Sequence, residues 1–154
     1  MFQRILFPTD GSAASLQAAD VLSRLAGPDG HLNVTIAVVI SPLNAEQSDD
    51  RSESIEPHNA WLRSEAQRIA NGVVEVLRAP GLTCTTKILE GKPVSAALAK
   101  EAATGQYDLL VMSSRGLGQQ HDRLRYLGSV TEHVIRRVAV PVLVVPVKSD
   151  EEDD

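Results

Sequence analysis

The sequence predicts an α/β domain: a five-stranded parallel sheet with helices on both faces. Three observations lead there. Short apolar runs recur along the chain, around Ile5-Leu6-Phe7, Val34 to Val39, Leu82 to Ile88, Leu109 to Met112 and Val142 to Val145. Stretches with helical spacing of apolar residues separate them. Glycine, proline and small polar residues punctuate the joins. Apolar strands alternating with helices are the pattern of parallel sheets covered on both sides.

Taken in order, Arg4 to Pro8 reads as a central strand that stops at Thr9-Asp10-Gly11-Ser12, all turn and cap residues. Ala14, Ala18, Val21, Leu22 and Leu25 then mark a helical stripe, closed by Gly27-Pro28-Asp29-Gly30. Leu32 to Ile40 forms the second strand. A polar tract from Ser41 to about His58 reads as a mobile loop. The next helix is expected over Asn59 to Arg78, with Leu62, Ala66, Ile69, Val73, Val76 and Leu77 on one face. Leu82, Cys84, Thr86 and Ile88 alternate with polar neighbours, giving a half-exposed strand in which Cys84 is a packing residue. Gly91-Lys92-Pro93 turns into a helix carrying Val94, Ala97, Leu98 and Ala102, with Pro93 in its first turn. Asp108 to Met112 is the fourth strand. Ser129 and Glu132 form a capping-box signature for the last helix. The final strand follows, its start placed at a sheet edge by Pro141.

With 154 residues, the chain is expected to form one domain over residues 1–147, followed by an acidic disordered tail over 148–154. The net charge of -5 leaves no dominant basic face, which argues against a nucleic-acid partner. One cysteine allows neither an intrachain disulfide nor a cysteine cluster for zinc. No run approaches membrane-spanning length and no signal peptide is read, so a cytoplasmic protein without membrane contact is expected. His121 and His133 read as surface residues, and no metal site is expected.

The chemistry concentrates between Tyr107 and Ile135. A strand runs into Ser113-Ser114-Arg115-Gly116-Leu117-Gly118, and Gly128-Ser129-Val130 opens a helix. A glycine-rich loop leading to a helix N-terminus gathers N–H groups and the positive end of a dipole, which suits an anion. Arg115, Arg123 and Arg125 could neutralise phosphate charge. In parallel sheets ligands sit at the carboxyl ends of strands where strand order reverses. If the first and fourth strands are neighbours, Asp10 faces the loop; it can equally serve as a helix cap. The sequence holds neither a G-x-S-x-G elbow nor a G-x-x-x-x-G-K-[ST] loop, so a serine hydrolase and a P-loop NTPase are set aside.

Over residues 2 to 147 the chain resembles the universal stress protein family. Ile5-Leu6-Phe7-Pro8-Thr9-Asp10-Gly11-Ser12, Val38-Val39-Ile40 and Gly91-Lys92-Pro93 carry the resemblance. It implies a Rossmann-like fold of the adenine nucleotide alpha hydrolase type, with strand order 3-2-1-4-5. It also implies ATP as ligand, with magnesium accompanying it, and a homodimer through the last strand, Val140 to Val147. By the same resemblance Asp10 meets the ribose or adenine side and Val39 meets adenine through its backbone. Gly116, Gly118, Gly128, Ser129 and Val130 surround the phosphates, and Ser113 and Arg115, by their own chemistry, could donate to them. The family's ATP-binding loop has the form G-x2-G-x9-G-[ST]. Here either Ser113 stands at the first position and eleven residues separate Gly116 from Gly128, or the loop is shifted, with Arg115 at the first position and nine residues between Gly118 and Gly128. The leading expectation is a nucleotide-binding regulator or sensor that is not an enzyme. The alternatives are a relative that acts through dimer contacts without nucleotide, and an adenylyl-transferring enzyme on a related sheet.

Overall fold

The computed structural model describes residues 2–27, 29–44, 46, 54–115 and 127–147. Five strands form one parallel sheet: β1 (Arg4–Pro8), β2 (Leu32–Ile40), β3 (Leu82–Glu90), β4 (Leu109–Ser113) and β5 (Val142–Val145). Their order is β3-β2-β1-β4-β5, as the resemblance implies. Four helices connect them: α1 (Ala13–Leu25), α2 (Ile55–Val76), α3 (Val94–Thr104) and α4 (Ser129–Arg137).

Alternation along each strand sends side chains to two separate cores. Ile5 and Phe7 of β1, Val34 and Ile36 of β2, and Val111 of β4 pack with Ala18, Leu22, Ala66 and Val73 of α1 and α2. Leu6, Ala37, Leu110 and Met112 face the other way, against Leu98 and Ala102 of α3 and Val134 of α4. The register puts Ile5 opposite both Val34 and Leu109, so the central strand is buried on both faces. The Asp108 carboxylate accepts from the backbone N–H groups of Gln3 and Arg4, at 3.1 and 3.0 Å, which fastens the start of β1 to the approach of β4.

Several local expectations are corrected. Helix α2 begins at Ile55, four residues before Asn59. Proline is tolerated at Pro57 because the first N–H groups of a helix have no partner within it, and Glu56 suits the dipole there. The buried side chain of Asn59 brackets Leu43, accepting from its N–H at 2.8 Å and donating to its carbonyl at 2.9 Å. The segment after β2 is therefore pinned at Leu43, inside the tract read as loop. In α1 the inward stripe is Ser15, Ala18, Ala19 and Leu22, while Leu25 is exposed. Pro93 precedes α3 as its N-cap instead of lying in its first turn. The α4 capping box does not form. Gly128 is the N-cap, Ser129 is already helical, and Glu132 pairs with Arg136 at 2.9 Å. The Gly128 N–H is taken by the Ser114 carbonyl at 2.7 Å, which sets where the helix begins.

Candidate functional site

A cavity of about 320 Å³ opens at the carboxyl ends of β2, β1 and β4, where strand order reverses. Its composition changes across the sheet. On the β2 side it is apolar, formed by Ala37 and Val39 with Val94 and Leu98 of α3, and Met112 of β4 extends the apolar lining across β1. In the middle stand Pro8, Thr9 and Asp10, at the end of the central strand. On the β4 side lie Ser113, Arg115 and the first residues of α4, from Gly128 to Thr131.

The middle is built by the β1 to α1 turn. Thr9 N–H donates to the Ala37 carbonyl at 2.9 Å, continuing the sheet by one residue. Asp10 accepts from the Ser12 N–H at 2.9 Å, an Asx turn. Gly11 has φ +77, and a side chain there would also press on Ile69 of α2, whose nearest atoms would stand 3.2 Å from its Cβ. Ser12 then caps α1 by accepting from the Ser15 N–H at 3.2 Å. Cap and strand-end carboxylate are thus separate residues: Ser12 holds the helix, and Asp10 shapes the turn while lining the cavity.

The β4 side is a junction. Thr131 Oγ1 donates to the Ser113 carbonyl at 2.9 Å, and Ser114 N–H donates to the Val145 carbonyl at 2.9 Å. The first intrahelical bond of α4 runs from Glu132 N–H to the Gly128 carbonyl at 2.9 Å. The N–H groups of Ser129, Val130 and Thr131 therefore have no partner within the helix, and no side chain among the described residues caps it. The Ser113 hydroxyl donates to the Arg115 carbonyl at 2.6 Å, which bends the chain as it leaves the strand. Asp10, Val39, Ser113, Arg115, Gly128, Ser129 and Val130 all line the one cavity. Gly116, Gly118, Arg123, Arg125 and His121 lie outside the described residues, as does the acidic stretch 148–154.

Strongly shifted titratable groups stand apart from this cavity. Burial is the main cause that pushes Tyr107 up to about 12, and the adjoining Glu101 carboxylate adds to it. Burial alone would raise the Glu101 carboxyl, but hydrogen bonds from Lys87 at 2.7 Å and Tyr107 at 2.8 Å hold it below its ordinary value. Half-buried Cys84 has its thiol raised by desolvation, the state of a packing cysteine.

Residues 1–146 match the model of the universal stress protein family. The chain belongs to that family. A universal stress protein of Methanocaldococcus jannaschii is 32% identical over 146 residues, covering 94% of this chain and 82% of its own. Among solved structures, a hypothetical protein whose biochemical function was assigned from its structure is 27% identical. It superposes with a TM-score of 0.79, covering 97% of this chain and 99% of its own. A universal stress protein in complex with cAMP is 27% identical with a TM-score of 0.67, covering 96% of this chain and 98% of its own.

Within this family member, reasoning from sequence passed over Thr9, Ser15, Met112, Leu98 and Thr131 as cavity residues. Two of them left a trace. Ser15 continues the Ala18, Ala19, Leu22 stripe by helical spacing, and Thr131 lies three residues before buried Val134. A hydroxyl on an otherwise apolar stripe was the available signal.

Proposed function

We propose that this universal stress protein binds an adenine nucleotide, ATP, in the cavity above β2, β1 and β4. The observation that carries the reading is the cavity's change of character across the sheet. An apolar slot of Ala37, Val39, Val94, Leu98 and Met112 suits a purine, and the start of α4 supplies N–H groups suited to phosphate. Asp10, between them, would face the sugar. Gly128, Ser129, Val130 and Arg115 would receive the phosphates, together with Gly116 and Gly118 from the segment beyond Arg115. The cAMP held by a solved relative supports the ligand class. Magnesium accompanying the phosphates would screen their charge from Asp10.

The role proposed is that of a regulator or sensor in the cytoplasm, responding to stress by nucleotide occupancy and not by turnover. Residues 1–147 act as one domain. Two copies associate through β5 and its flanks, Val140 to Val147, since β5 is one of the two edge strands of the sheet and is apolar throughout.

Titration calorimetry with ATP and magnesium tests the site. We expect micromolar affinity, about -8 kcal/mol. Gly128→Val should abolish binding by crowding the approach to the α4 N–H groups. Asp10→Ala should weaken ATP, ADP and AMP alike. A second reading, dimer contacts without nucleotide, draws on Ser113. Its only hydroxyl proton goes to the Arg115 carbonyl and so is not offered to a phosphate. Absence of heat at millimolar ATP, with folded dimer in the cell, would decide for that reading.

A further inference from the structure

Two hydroxyls under the cavity have no part in the reading above. Thr9 and Ser15 both line it and are 8% and 3% exposed. Their oxygens are hydrogen-bonded to each other, and Thr9 Oγ1 also accepts from the Gly11 N–H at 3.1 Å.

One of the two protons of this pair is left without an acceptor among the described residues. Each hydroxyl carries one proton and two lone pairs. One proton is consumed in the bond between them, whichever oxygen donates. If Ser15 donates, the lone pairs of Thr9 are filled by Gly11 and Ser15, and the Thr9 proton needs an acceptor elsewhere. If Thr9 donates, the Ser15 proton is the one left over. Helical serines and threonines often give that proton to a carbonyl one turn back, as Ser23 does to Asp20 at 2.7 Å and Thr104 to Lys100 at 2.9 Å. Ser15 makes no such bond, and Thr9 has no other partner among the described residues. In either arrangement one O–H remains, on a nearly buried pair whose open side is the cavity.

The neighbouring charge selects what takes it. Thr9 precedes Asp10 in the chain, and both line the cavity. A carboxylate beside the pair disfavours a phosphate oxygen there. A sugar hydroxyl is neutral and both accepts and donates, so it can take the spare proton and give its own to a free lone pair of Ser15 or to Asp10. We propose that the Thr9–Ser15 pair reads one ribose hydroxyl, the 2′ or the 3′, making this site selective against the nucleotide that lacks it. The inference rests on the nucleotide reading of the cavity and specifies one contact within it.

The test compares ATP, 2′-deoxy-ATP and 3′-deoxy-ATP by calorimetry on wild type, Ser15→Ala, Thr9→Val and Thr9→Ser, each checked for its melting temperature. Wild type is expected to prefer ATP over one of the deoxy forms by about fivefold to tenfold, the worth of one hydrogen bond. Ser15→Ala and Thr9→Val should each erase most of that preference by weakening ATP alone, and Thr9→Ser, which keeps the hydroxyl, should retain it. Alanine favours helix at position 15, so α1 is preserved. Wild type that binds all three equally overturns the inference and leaves the nucleotide site standing. A preference that survives both hydroxyl deletions does the same. Wild type that binds none of the three overturns the inference together with the site.

Discussion

Thr131 Oγ1 donates to the carbonyl of Ser113, so the first turn of α4 is fastened to the last residue of β4. The two residues are 18 apart in sequence, and the residues 116–126 lie between them. This contact sets where the α4 N–H groups stand relative to the strand end, whatever the intervening chain does.

Thr131→Val keeps the side chain's shape and removes the bond. The part-buried Ser113 carbonyl then loses a donor, which should cost about 1–2 kcal/mol in urea denaturation. ATP affinity should fall with it, because the helix start is no longer held. Unchanged stability would show that Thr131 contributes nothing to the junction.

Asn59→Ala removes both bonds to Leu43 at a residue that is 4% exposed. Leaving the backbone of Leu43 unpaired should destabilise by about 2–3 kcal/mol. Asn59→Asp retains the acceptor and loses the donor, and should fall between wild type and alanine. Equal melting midpoints for all three proteins would contradict the pinning described here.

The Lys87, Glu101 and Tyr107 cluster predicts opposite dependences at the two ends of the pH scale. Tyr107 is raised from 10.0 to about 12 in the fold, so its neutral form is the favoured one. Its contribution is intact below pH 10 and is lost as pH rises from there through about 12. Glu101 is lowered from 4.5, so its contribution is intact above that value and is lost as pH falls through the folded-state value. Tyr107→Phe should flatten the alkaline loss in denaturation measured from pH 9 to about 12. A wild-type slope retained in that variant would assign the loss to another group.

The edge strand predicts the oligomer. Val142 to Val145 pairs with β4 on one side, and its other side ends the sheet. Wild type should sediment as a dimer at micromolar concentration and Val144→Lys as a monomer, since a charge on the edge opposes strand pairing. A monomeric wild type would remove β5 as the interface.

The sheet was legible because each strand announces itself within a few residues. Ile5-Leu6-Phe7 and Leu109 to Met112 are apolar on both faces, and such runs alternating with helical stretches fit a covered parallel sheet. The gathering of Asp10, Val39 and Ser113 round one cavity followed from their places at or near strand ends, and Gly128 joins them at the start of α4. What escaped depended on partners distant in the chain. Asn59 reads as an ordinary polar helix residue until Leu43 is set beside it. The expected Ser129 cap was displaced because Ser114, fourteen positions earlier than Gly128, claims the glycine's N–H and moves the helix start. Leu25 looked inward by helical spacing, but the inward stripe runs through Ser15, whose hydroxyl meets Thr9, and leaves Leu25 exposed.

The bonds from Gln3 and Arg4 to Asp108 decide where this protein can be labelled. They hold the beginning of the chain at the amino-terminal pole of the sheet, the far pole from the cavity. Val147 is instead tied to Ser114, with its N–H 3.1 Å from the serine oxygen, directly beside the β4 exit. A fluorophore or affinity handle joined ahead of Gln3 therefore stays clear of the cavity. One joined after Val147 begins its course beside Ser114, on the β4 side of the cavity, where it would crowd whatever enters there.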